Sequence, residues 1–233
     1  MTFLELLQAF HREYGLSGDS PTSAENQTGE TLRLVHWLID AYKDIQNAEQ
    51  WRWLRVTFTC TTTADQDSYA FGECNDTLDS AAITRFKRWR IDDLLDPPKI
   101  YLSSSGVGTQ TWMSYVPWDW FKSVYRIGTR NSAFPFFITA DPQNKLVVGP
   151  PPGDEYVITG DYVRSAQVLA LDEDVPEMPE DFHMLIVHRA AKKYAYYESA
   201  NEVLSRANED ADRLYRQLQA DQLPTFRMAG ALA

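Results

Sequence analysis

The spacing of the apolar residues changes twice along this 233-residue chain, and no other feature constrains the fold as much. Near both ends the apolar residues recur every three or four positions, as on one face of a helix, whereas from Trp51 to Val163 they mostly alternate, as in β-strands. The pattern predicts an α+β fold in which terminal helices form a helical bundle and an antiparallel β-rich domain is inserted between them. The predicted domains are residues 1–50 with 176–223 for the bundle, 51–175 for the insertion and 224–233 for a C-terminal tail.

Capping residues and helix breakers delimit the predicted helices. Thr2–Glu5 has the form of a capping box, and Gly15 supplies a left-handed stop for the short helix that follows it. A longer amphipathic helix is predicted from about residue 29 to residue 49, and a short one after Pro117 in the middle of the chain. Two more helices are predicted between about residue 179 and residue 223.

Alternating apolar residues predict eight strands in the middle of the chain. They lie at Trp53–Cys60, Ser68–Phe71, Ala82–Ile91, Lys99–Ser103, Thr111–Val116, Phe134–Thr139, Lys145–Val148 and Tyr156–Val163. The last three are predicted to form a closing antiparallel meander, with turns at Asp141–Asn144 and Gly149–Asp154.

The formal net charge is −11, from 22 Lys and Arg against 33 Asp and Glu. This charge opposes non-specific binding to phosphate backbones or anionic lipid, so we do not expect a general nucleic-acid binder. No run of 18 apolar residues occurs, and the amino terminus lacks a signal-peptide pattern, so neither a membrane-spanning nor a conventionally secreted protein is expected. Cys60 and Cys74 are expected to be free thiols, because a chain of this size needs no disulfide.

No catalytic, metal-binding or cofactor-binding set of residues stands out, and we predict a protein that is not an enzyme. His183 and His188 are five positions apart, which turns them away from the shared helix face that a zinc-binding pair needs. The acids at Asp92–Asp93 and Asp172–Asp174 are typical of solvated turns. Ser103–Gly108 contains two glycines but lacks the Lys-Ser/Thr end of a phosphate-binding loop, so we interpret it as a hairpin loop.

The segment Arg85–Arg90 interleaves four cations with two aromatic rings, a pattern able to hold phosphates and stack bases. As an amphipathic strand it would instead turn Phe86 and Trp89 to opposite faces and make cation–π and acid contacts. In a chain of this net charge we favour the second interpretation, with an acidic neighbouring subunit as the contact.

Five tryptophans, at positions 51, 53, 112, 118 and 120, fit either a sugar-binding cleft or the core and subunit contacts. No matching set of carboxylates and amides stands near them in the sequence, which favours core and subunit contacts. Trp118 and Trp120 flank the predicted short helix and are candidate partner-binding residues.

Six segments, taken together and in order, carry a resemblance to a known family. They are TFLELLQAFHREYGLSG, the loop Gln27–Glu30, LRLVHWLIDAYKDIQNAEQWRWLR, VPWDWFKSVYRIG, KLVVGPPPGDEYVITGDYVRSAQVL and MPEDFHMLIVHRAAKKYAYYESANEV. In this order they resemble the head-to-tail adaptor, or head-completion, proteins of tailed bacteriophages. The resemblance implies a non-enzymatic virion protein that assembles as a ring, commonly of twelve copies, beneath the portal vertex and extends the DNA channel.

The resemblance also implies partners and a location. The expected partners are further copies of the chain, the portal protein, and tail or nozzle proteins, whereas DNA would pass through the channel without sequence-specific binding and neither a cofactor nor a membrane is involved. The expected location is the virion neck, after assembly in the host cytoplasm. The tail residues Phe226, Arg227 and Met228 are expected to bind a cleft of the portal, as the carboxyl termini of the family are thought to do. The alternatives are a tail-tube or baseplate protein and, in another class, a carbohydrate-binding or hydrolytic domain.

Overall fold

The computed structural model describes residues 1–15, 18–128 and 130–224 and confirms a mixed α+β fold. The chain divides into two compact units, which we call the helical unit (Met1–Leu54 with the chain from Ala166 onwards) and the β unit (Arg55–Ser165). The helices are α1 (Phe3–Glu13), α2 (Gly29–Ala48), α3 (Trp118–Tyr125), α4 (His183–Glu198) and α5 (Asn201–Gln222). The strands are β1 (Arg55–Thr61), β2 (Ser68–Tyr69), β3 (Asn75–Asp76), β4 (Arg88–Arg90), β5 (Lys99–Leu102), β6 (Thr111–Trp112), β7 (Ser114–Tyr115), β8 (Phe137–Ala140), β9 (Leu146–Gly149) and β10 (Tyr156–Val163).

Helix α1 begins and ends as its sequence predicts. The Thr2 hydroxyl accepts a hydrogen bond from the backbone N–H of Glu5 at 3.2 Å, and the Glu5 carboxylate accepts one from the backbone N–H of Thr2 at 2.8 Å. These two bonds complete the capping box. Beyond the end of α1, Gly15 adopts φ +59°, a left-handed conformation that glycine reaches without steric penalty.

Helix α4 is central to the helical unit, since α1, α2 and α5 all pack against it. Where α4 meets α1, the Tyr14 hydroxyl lies 2.7 Å from Nδ1 of His188. Burial lowers the pKa of His188 below its ordinary value of 6.5 and raises the pKa of Tyr14 to about 12. On α5, Arg206 pairs with Glu13 at 3.3 Å, so charged side chains surround this buried contact.

A buried polar network fixes the returning chain of the helical unit to α2. Gln46 is fully buried; its amide nitrogen donates to the backbone oxygen of Gln167 at 3.0 Å, and its amide oxygen accepts from the backbone N–H of Gln167 at 2.8 Å. The Tyr42 hydroxyl donates to the side-chain oxygen of Gln167 at 2.8 Å and accepts from the backbone N–H of Glu177 at 2.9 Å. Each of these bonds satisfies a polar group that would otherwise be costly to bury.

The β unit contains two sheets. Sheet A has the strand order β3-β1-β10-β5-β6, with β4 also paired to β10, and sheet B has the order β2-β9-β8-β7. The predicted closing meander is therefore wrong: β8 and β9 form the expected hairpin, but β10 pairs with β1, β4 and β5 in the other sheet. The predicted strand Thr111–Val116 also divides at Met113, so that β6 belongs to sheet A and β7 to sheet B.

Two further strand predictions fail. Within Ala82–Ile91 only β4 is a strand, and the Phe86 ring lies outside it and packs 4.7 Å from the Trp89 ring instead of facing away. The pair β7–β8 is parallel, so the β unit is not wholly antiparallel. The connection between these two strands contains α3, and a crossover of this kind is what a parallel pair requires.

Cys60 and Cys74 are both fully buried and form a disulfide, so the expectation of free thiols is wrong. The register of β1 with β3 places Thr59 opposite Asn75, which makes Cys60 and Cys74 the next opposed pair. Their Cα atoms are 4.3 Å apart, close to the spacing of a non-hydrogen-bonded antiparallel pair. The sequence did not indicate this pairing because β3 has only two residues.

The outer strands of both sheets are short. The end strands β3, β6, β2 and β7 have two residues each. Long exposed edges invite pairing with another chain, and short ones limit it. The edges of both sheets therefore offer little backbone to an added strand.

Candidate interaction surfaces

Helix α3 is held on sheet B by a buried aromatic side chain. Phe121 is fully buried, and a Cβ atom at Gly149 of β9 would lie 2.6 Å from its ring, so glycine permits the close approach. The Phe121 ring also packs against Trp118 and Tyr125, with centroids 6.1 Å and 5.1 Å away. These contacts decide which residues of α3 stay exposed.

The two candidate partner-binding tryptophans both lie on α3, in different surroundings. Trp118 is half-buried, stacks on Phe121, and has the guanidinium of Arg126 5.9 Å from its ring centroid. Trp120 is 43% exposed, and its ring lies 5.4 Å from that of Phe137 on β8. Trp120 is therefore the more available of the two for contact with another molecule.

An apolar stripe runs along one side of α3 and past its end. Trp120, Val124 and Ile127, at positions i, i+4 and i+7, are 43%, 47% and 71% exposed, and we call them the α3 stripe. Lys122, Arg126 and Arg130 belong to the same segment, whose acid is Asp119. A single carboxylate, that of Asp67, pairs with both Arg126 and Arg130, so the surroundings of the α3 stripe keep an excess of cations.

A second exposed apolar feature lies between β4 and β5. In the segment Asp92–Asp96, which we call the acid–leucine loop, Leu94 and Leu95 are 93% and 95% exposed. Sequence reasoning missed this loop as a candidate site, because its acids were interpreted as a solvated turn. The available signal was a pair of leucines without periodic partners inside the acidic run Asp92–Asp96, which stands directly before Pro97-Pro98.

Ion pairs brace both ends of the acid–leucine loop. Asp93 pairs with Arg90 of β4, and its other oxygen accepts the backbone N–H of Leu95 at 3.0 Å. Asp96 accepts a hydrogen bond from Arg55 of β1 at 3.0 Å. The two leucines are thus held at the surface by the sheet below them, and not by contacts of their own.

The cationic segment Arg85–Arg90 is engaged within the β unit. Arg85 donates to the backbone oxygen of Ser165 at 2.6 Å, and Arg90 pairs with Asp93 and, at 3.9 Å, with Asp161. These partners belong to the same chain, so the expected contact with an acidic neighbouring subunit stays a prediction. Trp89 is buried in the core of the β unit and is not available for stacking.

The remaining sequence candidates take part in structural contacts. Trp51 is 1% exposed and stacks on Trp53 in the helical unit, so it cannot line an open cleft. His183 contacts the backbone oxygen of Met178, and Asp172 accepts the backbone N–H of Ala24. Among the residues that the structure describes, no group of three or more His, Cys, Asp or Glu could hold a metal ion. Within the same ranges, none of the helices has the length and apolar character needed to cross a bilayer.

Phe226, Arg227 and Met228 lie outside the described residues. Their portal-binding role stays a prediction from the sequence.

The comparison with protein families defines the class of this protein. Residues 1–231 match the family model of the SU10 adaptor protein. The match spans nearly the whole chain. The protein is thus a structural adaptor of a phage, a class whose members are virion components. The chain belongs to the SU10 adaptor protein family. No curated protein matched the chain.

Proposed function

We propose that this adaptor assembles as a ring of identical copies, twelve in number, between the portal and the tail of a phage virion, where it extends the DNA channel. The observation that carries the proposal is the family match over residues 1–231, which makes the chain a phage adaptor. The neck of the virion is the proposed location, and the host cytoplasm is the proposed place of assembly. In this proposal the terminal helices form one bundle, and the β-rich domain is inserted between them in the sequence.

The distribution of charge supports passage of DNA without capture. The helical unit contains 11 Lys and Arg against 20 Asp and Glu, a net charge of −9, whereas the β unit contains 11 against 13, a net charge of −2. A channel lined by acids repels the phosphate backbone and lets it slide, while a basic lining would hold it. We therefore propose that the helical unit supplies the channel surface.

The C-terminal tail is the proposed portal anchor. Residues 224–233 contain the apolar side chains of Phe226 and Met228 on either side of Arg227, and a short segment of this kind can order in a cleft of a partner. The tail proteins would then bind surfaces that the ring presents on its other side.

A pull-down with the portal protein of the same phage tests this function. The full chain is expected to bind the portal, and a chain that ends at Pro224 is expected to lose binding. The matched control is Ala231→Ser, which changes the same tail without removing an apolar anchor and should bind as the full chain does. Equal binding by the full and shortened chains would refute the anchor, and no binding by either would refute the adaptor placement.

A further inference from the structure

We propose that Cys60 and Cys74 are a redox-sensitive lock of the β unit. They are two thiols while the adaptor assembles in the host cell, and they become a disulfide in the released virion; both stages rest on the function proposed above. The reducing systems of a cytoplasm keep thiols reduced, whereas the fold brings these two sulfurs within bonding distance. The disulfide and the proposed place of assembly agree when the pair changes its redox state between the two stages.

The fold holds the two cysteines together in either redox state. The register of β1 with β3, Phe58 opposite Asp76 and Thr59 opposite Asn75, comes from backbone pairing and not from the disulfide. Both cysteine side chains are fully buried in the core of the β unit, where a thiol packs as a small apolar group. The reduced chain is therefore expected to keep its fold, with the two thiols facing each other.

The bond closes an excursion of the chain between the two sheets. After β1 in sheet A, the chain forms β2, which pairs with β9 in sheet B, and then returns to β3 in sheet A. Cys60 and Cys74 stand at the two ends of this excursion, with a sequence separation of 14. A covalent bond across its ends restricts the unfolded chain. Oxidation therefore stabilises the part of the β unit that links sheet A to sheet B.

The two cysteines differ in how firmly their segments are held. Cys60 lies on β1, which pairs with β10 along all seven of its residues. Cys74 begins the segment 74–82, which we call the β3 flap; it contains the two-residue end strand β3, and within it the backbone N–H of Asp76 donates to the backbone oxygen of Ala81 at 2.7 Å. Segments with few hydrogen bonds to the rest of a fold open at the lowest free energy. Because both sulfurs are buried, we expect small molecules to reach them when the β3 flap opens.

Two side chains hold the β3 flap on sheet A in addition to its strand pairing. The Tyr162 hydroxyl of β10 donates to the carboxylate of Asp76 at 2.5 Å. The backbone N–H and the hydroxyl of Thr77 both donate to the backbone oxygen of Thr57 on β1, at 3.1 Å and 2.9 Å. Loss of either side-chain bond should make the flap easier to open.

The oxidation proceeds by two exchanges with a small-molecule disulfide such as oxidised glutathione. The thiolate of Cys74, exposed by the open flap, attacks one sulfur of that molecule, forms a mixed disulfide and releases one small thiolate. The thiolate of Cys60 then attacks Sγ of Cys74, which forms the protein disulfide and releases the second small thiolate. The two cysteine protons pass to the two released thiolates, so the cysteine pair loses two electrons and the small disulfide gains them.

Thiol trapping in infected cells and in virions tests the lock. Infected cells before lysis and purified virions are precipitated with acid, denatured and alkylated with N-ethylmaleimide, and mass spectrometry identifies the peptides that contain Cys60 and Cys74. We expect both cysteines to be alkylated in the adaptor from cells and disulfide-bonded in the adaptor from virions. A disulfide already present in the cells would show a permanent structural bond and overturn the proposal, and so would two alkylated cysteines in the virions.

Reduction of the purified full chain by dithiothreitol tests the β3 flap. Tyr162→Phe removes the hydroxyl bonded to Asp76 and should speed reduction about fivefold, because the opening then breaks one hydrogen bond less. Thr77→Ala, at an exposed position where folding is not at risk, should also speed it. The matched control is Tyr156→Phe, the same change at the other end of β10, which should react at the wild-type rate. Equal rates in all four chains would refute the flap.

Single-cysteine chains test the order of the two exchanges. With oxidised glutathione, Cys60→Ala should form a mixed disulfide at Cys74 faster than Cys74→Ala forms one at Cys60. The reverse order would show that β1 opens instead of the β3 flap.

The outcomes separate the lock from the proposed function. An adaptor that binds the portal and enters virions with the same thiol state as in cells would refute the lock and leave the proposed function standing. An adaptor that is absent from virions would refute the proposed function and, with it, the assignment of the two redox states to two stages.

Discussion

The helical unit and the β unit of this adaptor differ in charge and in what holds them together. The helical unit carries a net charge of −9 and is fixed by α4 and by the buried network around Gln46. The β unit is nearly neutral at −2, contains the Cys60–Cys74 disulfide, and exposes the acid–leucine loop and the α3 stripe. The comparison teaches that the two units are held together differently, the helical unit by helix packing and a buried polar network and the β unit by paired sheets and a disulfide.

The largest expected effect is a loss of stability in the β unit alone. Phe121→Ala removes the fully buried ring between α3 and sheet B and should destabilise the β unit by about 3–5 kcal/mol. Urea unfolding followed by tryptophan fluorescence measures the loss. Val124→Ala on the exposed side of α3 is the control and should change the stability by less than about 0.5 kcal/mol. Equal effects of the two variants would mean that Phe121 does not clamp the helix.

The disulfide gives the next largest effect. Replacing both Cys60 and Cys74 by Ala opens a loop with a sequence separation of 14 and should lower stability by about 3 kcal/mol. The measurement is the urea midpoint of the variant against that of the wild type, each with and without reductant. The urea midpoint of the variant should not change when reductant is added. A wild-type midpoint that also did not change would contradict the role given to the disulfide.

A single substitution tests the network that holds the helical unit. Gln46→Leu leaves the backbone N–H and carbonyl of Gln167 without their partner and should cost about 1–3 kcal/mol. Circular dichroism at 222 nm during urea unfolding reports on the helices. The control is Asp44→Ala, whose side chain is 66% exposed and should matter little. A neutral Gln46→Leu would show that apolar packing replaces the network.

The smallest expected effect is a dependence of stability on pH, which distinguishes the helical unit from the β unit. Burial lowers the pKa values of His183 and His188, both in the helical unit, so the folded state binds fewer protons than the unfolded state once the pH falls below 6.5. Stability of the helical unit should therefore be full well above pH 6.5 and decrease as the pH falls below that value. His188→Gln should weaken this dependence in urea unfolding followed at 222 nm, whereas His36→Gln on the exposed face of α2 should leave it unchanged. A pH-independent wild type would contradict the assignment.

The helices could be predicted from the sequence because local residues determine their ends. The capping box at Thr2 and the left-handed Gly15 act within one turn, and the predicted stretch from 29 to 49 differs from α2 by one residue. Strand pairing depends on residues far apart, and there the sequence misled us. The pairing of β10 with β1 joins positions about a hundred residues apart, and no local pattern reveals it.

The sequence indicated only one of the two candidate surfaces. The sequence predicted a short helix after Pro117, because proline is typical of a helix start, and both Trp118 and Trp120 lie on that helix, α3. The acid–leucine loop was missed because its exposure depends on ion pairs from Arg55 and Arg90, which lie on other strands. The register of β1 with β3 brings Cys60 opposite Cys74, and the sequence alone did not indicate this register either.

The mass of the complex formed on mixing the full chain with the portal tests the central claim most directly. Multi-angle light scattering should show the portal gaining a ring of twelve 26.7 kDa copies, with no smaller stable increment. A chain that remains a 26.7 kDa monomer in the presence of the portal would contradict the account.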